Sequence, residues 1–362
     1  MLSNYFNTAD VEAVRQLISS AQHIVIITHM SPDGDAMGSS LGMRHYLRHI
    51  GKTEVTNIVP NSFPNFYDWM PDANQVFAYD SKQAEADIRL AQCDLLICTD
   101  FNEPKRIGAL GEKIQFLSCP KILIDHHLHP SDFADVTLSY PGSPSASEIV
   151  FRLIYALETS VSSDKSIQSI FPVEAAECLY TGMMTDTGNF SFNSNHPEMY
   201  EIVAQLVSLG VDKDAIYNAV FNAYSADRMR LMGYCLYQKM RIFLDCHIAL
   251  IYLSRKELYR FNFKSGDAEG IVNLPLQIRD INYSVFMRED KIEPHEREKA
   301  NGAKSKIKLS FRSQGDRPVN IFASEVFNGG GHANAAGGEY YGTLPDAVQQ
   351  FLDNYHRYCK NA

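Results

Sequence analysis

The chain has little positive charge to spare. Of its 362 residues, 33 are Lys or Arg and 43 are Asp or Glu, for a formal net charge of −10. A protein that holds long duplex DNA shows a basic face, because neutralising many phosphates supplies most non-specific affinity. No basic tract is present, and the densest basic stretch, Lys299 to Lys308, is balanced by the acidic run just before it. A short anionic ligand fits this chain better than a long polymer, since bound cations can reverse the local sign of a site. No stretch approaches the roughly 18 apolar residues that read as a membrane span. The opening residues, MLSNYFNTADVEAVRQLISS, lack the basic start and apolar core of a signal peptide. The seven cysteines form no Cys-x-x-Cys pair, and Cys93, Cys98 and Cys246 lie in apolar, strand-like runs. The expectation is buried, reduced thiols in a cytoplasmic protein.

With 45% hydrophobic and 21% charged residues the chain has an ordinary globular balance, and its length suits two domains. Residues 23–28 (HIVIIT), 93–99 (CDLLICT) and 121–124 (KILI) are short apolar runs that read as buried strands. Helical patterns cover 36–49, 146–157, 173–184 and 197–209. This alternation predicts an α/β domain over 1–209, with a parallel sheet and helices on both faces. Residues 210–240 read as a helical connector, without the Gly/Ser/Pro enrichment of a flexible linker. Residues 241–362 read as a smaller C-terminal α/β domain, with strands at 247–253, 282–288 and 306–312 and a final helix at 344–358. The polar stretch 289–305 reads as an exposed hairpin loop. Neither an internal repeat nor a low-complexity segment is present.

The acids and histidines fall at one predicted sheet edge. Strand 23–28 runs into His29, Asp33 and Asp35, in a turn shaped by Pro32 and Gly34. Strand 93–99 ends at Asp100, and strand 121–124 ends at Asp125-His126-His127. The helical run 174–184 leads to Asp186 in TDTGNF. In open α/β sheets, ligands bind outside the carboxyl ends of the strands. Taken singly, each of these acids also reads as a turn or cap residue. Together, so many carboxylates need cations among them, because like charges otherwise force protonation. Two divalent ions sharing a bridging carboxylate solve this, and such a pair suits phosphoester cleavage. A set of His and Asp without thiolate suits Mn²⁺ better than Zn²⁺, with Mg²⁺ or Co²⁺ as substitutes.

A second constellation lies in NGGGHANAAGG, residues 328–338. Gly329, Gly330 and Gly331 let backbone N–H groups approach an anion, as in a nest, and His332 adds a hydrogen bond or a charge. Arg312, ending a predicted strand, suits bidentate phosphate binding.

Thr28-His29-Met30-Ser31-Pro32-Asp33-Gly34-Asp35-Ala36-Met37-Gly38-Ser39 resembles the first motif of the DHH phosphoesterase family. Asp125-His126-His127 resembles the motif that names it, and Asp100 and Asp186 stand where two further acidic motifs belong. Gly329-Gly330-Gly331-His332 through Ala335-Ala336-Gly337 resembles the signature of the DHH-associated C-terminal domain. The chain is most similar to the nanoRNase/pAp-phosphatase branch. The resemblance implies a phosphoesterase acting on short oligoribonucleotides, on 3′-phosphoadenosine 5′-phosphate (pAp), or on both, at a cleft between the domains. It implies one metal on His29, Asp33 and Asp100 and another on Asp35, Asp100, His126 and Asp186. His127 then faces the scissile phosphate or leaving group, with Asp125 standing behind the ligands. Arg312, Gly330, Gly331 and His332 hold the substrate's other end. Hydrolysis of linear or cyclic dinucleotides, a RecJ-like exonuclease and a non-catalytic nucleotide-binding protein are the alternatives. Long duplex DNA and membranes are not expected partners, and a homodimer is left open.

Overall fold

The apolar runs at 23–28, 93–99 and 121–124 form three neighbouring strands at the centre of a parallel sheet. The computed structural model describes residues 5–162, 164–264, 266–292 and 296–356. The chain divides into two units, Met1–Ala223 and Tyr224–Ala362. The boundary falls inside the stretch read as a helical connector.

The first unit runs α1 (Thr8–Ser20), β1 (His23–Ile27), α2 (Gly34–His49), β2 (Glu54–Val59), β3 (Phe77–Ala78), α3 (Gln83–Gln92) and β4 (Leu95–Thr99). It continues with α4 (Ala109–Gln115), β5 (Lys121–Asp125), β6 (Val136–Ser139), α5 (Ala146–Thr159), α6 (Ile167–Ile170), α7 (Val173–Asp186), α8 (Pro197–Ser208) and α9 (Lys213–Phe221). The six strands pair in the order β3-β2-β1-β4-β5-β6, all parallel. Both faces are covered, which explains the unbroken apolar strands. Ile24 and Ile26 pack with α1, α2, α5 and α7, whereas Val25 and Ile27 pack with α3 and α4.

The strand order reverses between β1 and β4. A crevice opens at such a switch point, beyond the carboxyl ends of the two strands. The register is level there: Ile27 pairs with Cys98, and Cys98 with Leu123. His29, Asp100 and Asp125 therefore each stand two residues beyond one aligned row.

The second unit contains α10 (Ala226–Tyr234), a π-helical turn at Cys235–Lys239, β7 (Arg241–Phe243), β8 (Ile248–Leu253), α11 (Arg255–Arg260) and β9 (Tyr283–Asp290). It continues with α12 (Arg297–Ala300), β10 (Lys306–Ser313), α13 (Asn320–Phe327), β11 (Gly330–His332), β12 (Ala335–Tyr341) and α14 (Leu344–Asn354). Its sheet has the order β11-β12-β10-β9-β8-β7, with β8 and β9 parallel and the other pairs antiparallel. Leu250, Val285, Leu309 and Phe311 pack against α13 and α14 on one face. Ile251 and Phe286 pack with Leu231 and Leu258 on the other.

Three local expectations change. The glycine segment is built into the sheet: β11 and β12 pair as a hairpin, with Gly330 opposite Gly337 and His332 opposite Ala335. Its glycines serve close strand approach, since a Cβ at Gly329 would stand 1.9 Å from the Gly337 carbonyl oxygen. Stretch 289–305 does join two antiparallel neighbours, but it holds the short helix α12, and residues 293–295 lie outside those described. Cys246 is disulfide-bonded rather than a reduced thiol, and nothing in the spacing of the cysteines signals it. Cys93, Cys98, Cys119, Cys178 and Cys235 are free. Among the described residues, no helix is long and apolar enough to cross a membrane.

Candidate metal centre

The turn after β1 sets the first two acids apart. Asp33 is the N-cap of α2, its carboxylate accepting the Asp35 and Ala36 N–H groups at 3.1 Å each. Asp35 is inside the helix and nearly sealed, at 1% exposure. Its oxygens accept the Ala146 N–H at 2.6 Å and the Ser147 N–H at 2.9 Å. The amino end of α5 thus grips this carboxylate through orphan backbone donors and the helix dipole. Ser145 caps the same helix end by accepting the Glu148 N–H.

Asp100 follows β4 with φ +64°, in the left-handed region that a non-glycine residue seldom occupies. Its N–H is pinned to the Ile124 carbonyl of β5 at 3.0 Å, which holds the backbone in this strained form. One carboxylate oxygen lies 3.3 Å from His29 Nε2, and the other lies 3.3 Å from His126 Nε2. His29 Nε2 is also 3.7 Å from Asp33, and His126 Nε2 is 3.5 Å from Asp186 and 3.8 Å from Asp35. Among the groups of donor atoms that result are His29/Asp33/Asp100 and Asp35/His126/Asp186, each within 4.8 Å internally.

The remaining ring nitrogens are fixed by carbonyls. His29 Nδ1 is 3.0 Å from the Met30 carbonyl oxygen, and His126 Nδ1 is 3.2 Å from that of Ser143. Such contacts orient an imidazole and leave Nε2 to face a metal. His127 is held differently. Its Nδ1 is 2.8 Å from the buried Asp125 carboxylate, which also accepts the His127 N–H at 3.1 Å.

Electrostatics show how strongly the cluster asks for positive charge. Burial disfavours the His29 imidazolium, but Asp33 and Asp100 outweigh it and push its pKa up to about 10. Burial is likewise overcome at His126, which Asp100 and Asp186 drive well above the usual imidazole range. Burial, then the charges of Asp100 and Asp186, push the Asp35 carboxyl well up. Burial also opposes ionisation of Asp100, yet bonds to His126 and His29 hold it well below the usual carboxylate range. His127 goes the other way: burial lowers it, and Arg106 adds to the effect against the pull of Asp125.

The donor set fits divalent ions. Ligand atoms about 2.1 Å from one ion lie roughly 3.0–3.4 Å apart, by the geometry of tetrahedral or octahedral sites. The two Asp100 distances meet that spacing. The buried Asp100 Oδ1, 3.3 Å from His126 Nε2, makes no hydrogen bond of standard geometry among the described residues, which leaves it open to a cation.

Helix packing makes the convergence feasible. A Cβ at Gly38 of α2 would stand 2.5 Å from the Cys178 carbonyl oxygen of α7. One at Gly182 would stand 1.9 Å from Ser147 Oγ and 2.8 Å from an Asp35 oxygen. The absence of these side chains lets α2, α5 and α7 bring Asp35 and Asp186 to the same point.

Of the other expected residues, Arg312 lies in β10 opposite Ala335, its Nη1 donating to the Phe311 carbonyl at 3.0 Å. Gly330, Gly331 and His332 form β11. Sequence reading missed the Ser143–Ser147 segment as support for Asp35 and His126. The Ser145-x-x-Glu148 spacing before an apolar run marks a helix start, but nothing local says which acid that start will hold. It also passed over Arg106.

Residues 23–183 match the DHH family, N-terminal domain, and residues 248–361 match the DHHA1 domain. A crystal structure of an exopolyphosphatase-related protein from Bacteroides fragilis is similar at TM-score 0.88 and 43% identity, over 99% of this chain and 98% of its own. The chain belongs to the DHH family. Within that family it is similar to the bifunctional oligoribonuclease and PAP phosphatase NrnA of Thermus thermophilus, at 28% identity over 91% of this chain and 88% of that protein. It is similar to the same enzyme of Bacillus subtilis at 24% identity, over 95% and 96%. Asp125, His126 and His127 are this DHH chain's own Asp-His-His, and the three side chains take different parts. Asp125 orients His127, while His126 turns to Asp35, Asp100 and Asp186.

Proposed function

We propose that this DHH chain is a two-metal phosphoesterase that releases nucleotides from short oligoribonucleotides and removes the 3′-phosphate of pAp. The observation that carries the reading is Asp100, with one oxygen 3.3 Å from His29 and the other 3.3 Å from His126. A carboxylate so placed suits a bridge between two ions. His29, Asp33 and Asp100 would hold one, and Asp35, Asp100, His126 and Asp186 the other, with Mn²⁺ the favoured metal for this donor set. Bound there, two ions would lower the pKa of water and stabilise charge on the phosphoryl oxygens.

The chain's own residues do the rest. Asp33 and Asp35 are fixed by backbone donors, so neither needs to reorganise as charge develops. Asp125 occupies the Nδ1 side of His127, so Nε2 is the ring nitrogen left to face the leaving oxygen. Arg312, Gly330, Gly331 and His332 are assigned to the far end of the substrate, where they orient it without touching the reacting bond. The NrnA proteins of Thermus thermophilus and Bacillus subtilis, named for both activities, support this choice of substrates.

The test is a panel of an RNA trimer, pAp and linear and cyclic dinucleotides, assayed for product release after chelator dialysis and again after Mn²⁺ addition. Turnover of the trimer or pAp that is lost to the chelator and restored by Mn²⁺ is expected. Full activity in the metal-free protein overturns the two-metal reading, and turnover of dinucleotides alone overturns the substrate.

A further inference from the structure

The second turn of chain beyond Asp100 carries one cation that the metal centre does not use. Pro104–Ile107 forms a tight helical turn directly after β4. It is anchored on both sides: Ile107 is buried in the core under α3 and α4, and the Arg106 carbonyl accepts the Met30 N–H at 2.9 Å. The turn is therefore tied to the loop that carries His29. A Cβ at Gly108 would stand 2.4 Å from Met30 Cε, so the two loops are in close contact at this point. The neighbouring cation is accounted for, since Lys105 lies 3.8 Å from Glu103.

Arg106 is different. Its side chain is half-buried and has neither an ion-pair nor a hydrogen-bond partner among the described residues. Its turn is bonded to the His29 loop through the Arg106 carbonyl, and its positive charge reaches His127. Asp33, Asp35, Asp100 and Asp125 form their ion pairs with imidazoles and, among the described residues, with no lysine or arginine. A half-buried guanidinium on a turn tied to the His29 loop, in an ion pair with none of these carboxylates among the described residues, is available to an incoming anion. Its planar fork matches the non-bridging oxygens of a phosphoryl group.

We propose that Arg106 is a phosphate-binding residue of the DHH unit, gripping the non-bridging oxygens of the phosphoryl group that is cleaved, next to His127. The proposal rests on the phosphoesterase reading and deepens it: the group recognised at the metal centre is a phosphate monoester or diester, held by a fixed arginine as well as by metal. Because the turn is anchored through its backbone, replacing the side chain leaves the fold of the loop in place. Lysine keeps the charge but not the two-pronged fork.

The decisive experiment uses the Mn²⁺-loaded full chain with Arg106→Ala and Arg106→Lys. Inorganic phosphate is titrated calorimetrically, and kcat and KM are measured on the RNA trimer and pAp. Metal content and Tm serve as controls. Loss of a charge-assisted, two-pronged contact corresponds to roughly 10–100-fold. Arg106→Ala is expected to weaken phosphate binding and to lower kcat/KM by that factor. Metal content stays unchanged, and Arg106→Lys recovers only part of the loss. Phosphate binding as tight in Arg106→Ala as in the parent overturns the proposal, and so does a parent that binds no phosphate. Loss of metal or of Tm in Arg106→Ala and Arg106→Lys alike also overturns it, because the residue is then structural. A parent that binds phosphate through Arg106 but hydrolyses no substrate of the panel refutes the substrate assignment and leaves the arginine's role intact.

Discussion

Asp100 concentrates the design of the centre in one side chain. It is 2% exposed, strained at φ +64°, and set between two histidines. Asp33, by contrast, serves one donor group and is half-exposed. Asp100→Ala is expected to lose metal at both positions and to lower kcat/KM by roughly 10³-fold or more, as for loss of a group that stabilises transition-state charge. Asp33→Ala is expected to keep about half the metal. Elemental analysis of both variants beside initial rates checks this, and two retained ions in Asp100→Ala would remove the bridge. His29, Asp100, Asp125 and His126 could be placed at one sheet edge from the sequence because each follows an apolar run that reads as a buried strand, whereas Asp186 follows a helical run. What each one touches was not legible there. The grip of the α5 amino end on Asp35 depends on contacts between residues 35, 146 and 147, and no local pattern encodes a partner that far along the chain.

Elements were legible in proportion to how far packing agreed with local pattern. β1, β4 and β5 are covered on both faces and announce themselves as apolar runs. β3 has two residues and β6 alternates weakly at the sheet's far edge, so neither gave a usable signal. The β11–β12 hairpin gave no strand signal because glycine suits both close strand approach and an anion nest. Glycine also sets the contact of α7 with α2 and α5. Gly182→Ala places a methyl group against Ser147 and Asp35, and overpacking of this kind costs about 1–3 kcal/mol. Metal affinity is expected to fall with stability, read by denaturant melts and metal titration; unchanged values in both would show that the helices have room.

In the second unit, Glu339 of β12 meets the buried Lys306 at 2.8 Å and Lys299 at 3.0 Å. Burial opposes its ionisation, but bonds to Lys306 and Lys299 win and hold its pKa at about 2, below the ordinary 4.5. A depressed carboxyl stabilises the fold above its unfolded pKa and ceases to do so as pH falls through its folded one. The stability gap between the parent and Glu339→Gln is therefore expected to be full near pH 7 and to shrink between about pH 4.5 and 2. Urea melts at pH 7, 4 and 3 measure it, and a gap that widens towards acid contradicts the sign.

At the scale of the whole molecule, composition speaks most directly to substrate length. A net charge of −10 with no basic tract offers few phosphate contacts to a long strand. Binding is expected to saturate after the first few nucleotides, so kcat/KM should peak at roughly two to five nucleotides. A series of 5′-labelled RNAs from dimer to about 24-mer at fixed salt tests this. Equal or faster cleavage of the longest member would point to an enzyme that tracks single strands. The two-unit, α/β plan was legible because strand–helix alternation gives way to strand alternation near residue 240. The boundary at 223/224 was not, because α9 and α10 look alike in sequence and differ only in which core they join.

The candidate ligand atoms come from five separate places, from His29 after β1 to Asp186 at the end of α7. They meet only when β1, β4 and β5 are in register and α7 has docked on α2. An unfolded chain offers no such meeting point, so ions bound to the native fold alone would act as a thermodynamic clasp. By linkage, free metal at about a hundred times its dissociation constant adds roughly 2.7 kcal/mol to the folding free energy. In the proposed two-metal enzyme, the chemistry and the durability of the first unit would be tied to the same few atoms. A cell short of metal would hold a protein that is easier to unfold and degrade as well as one with a silent site.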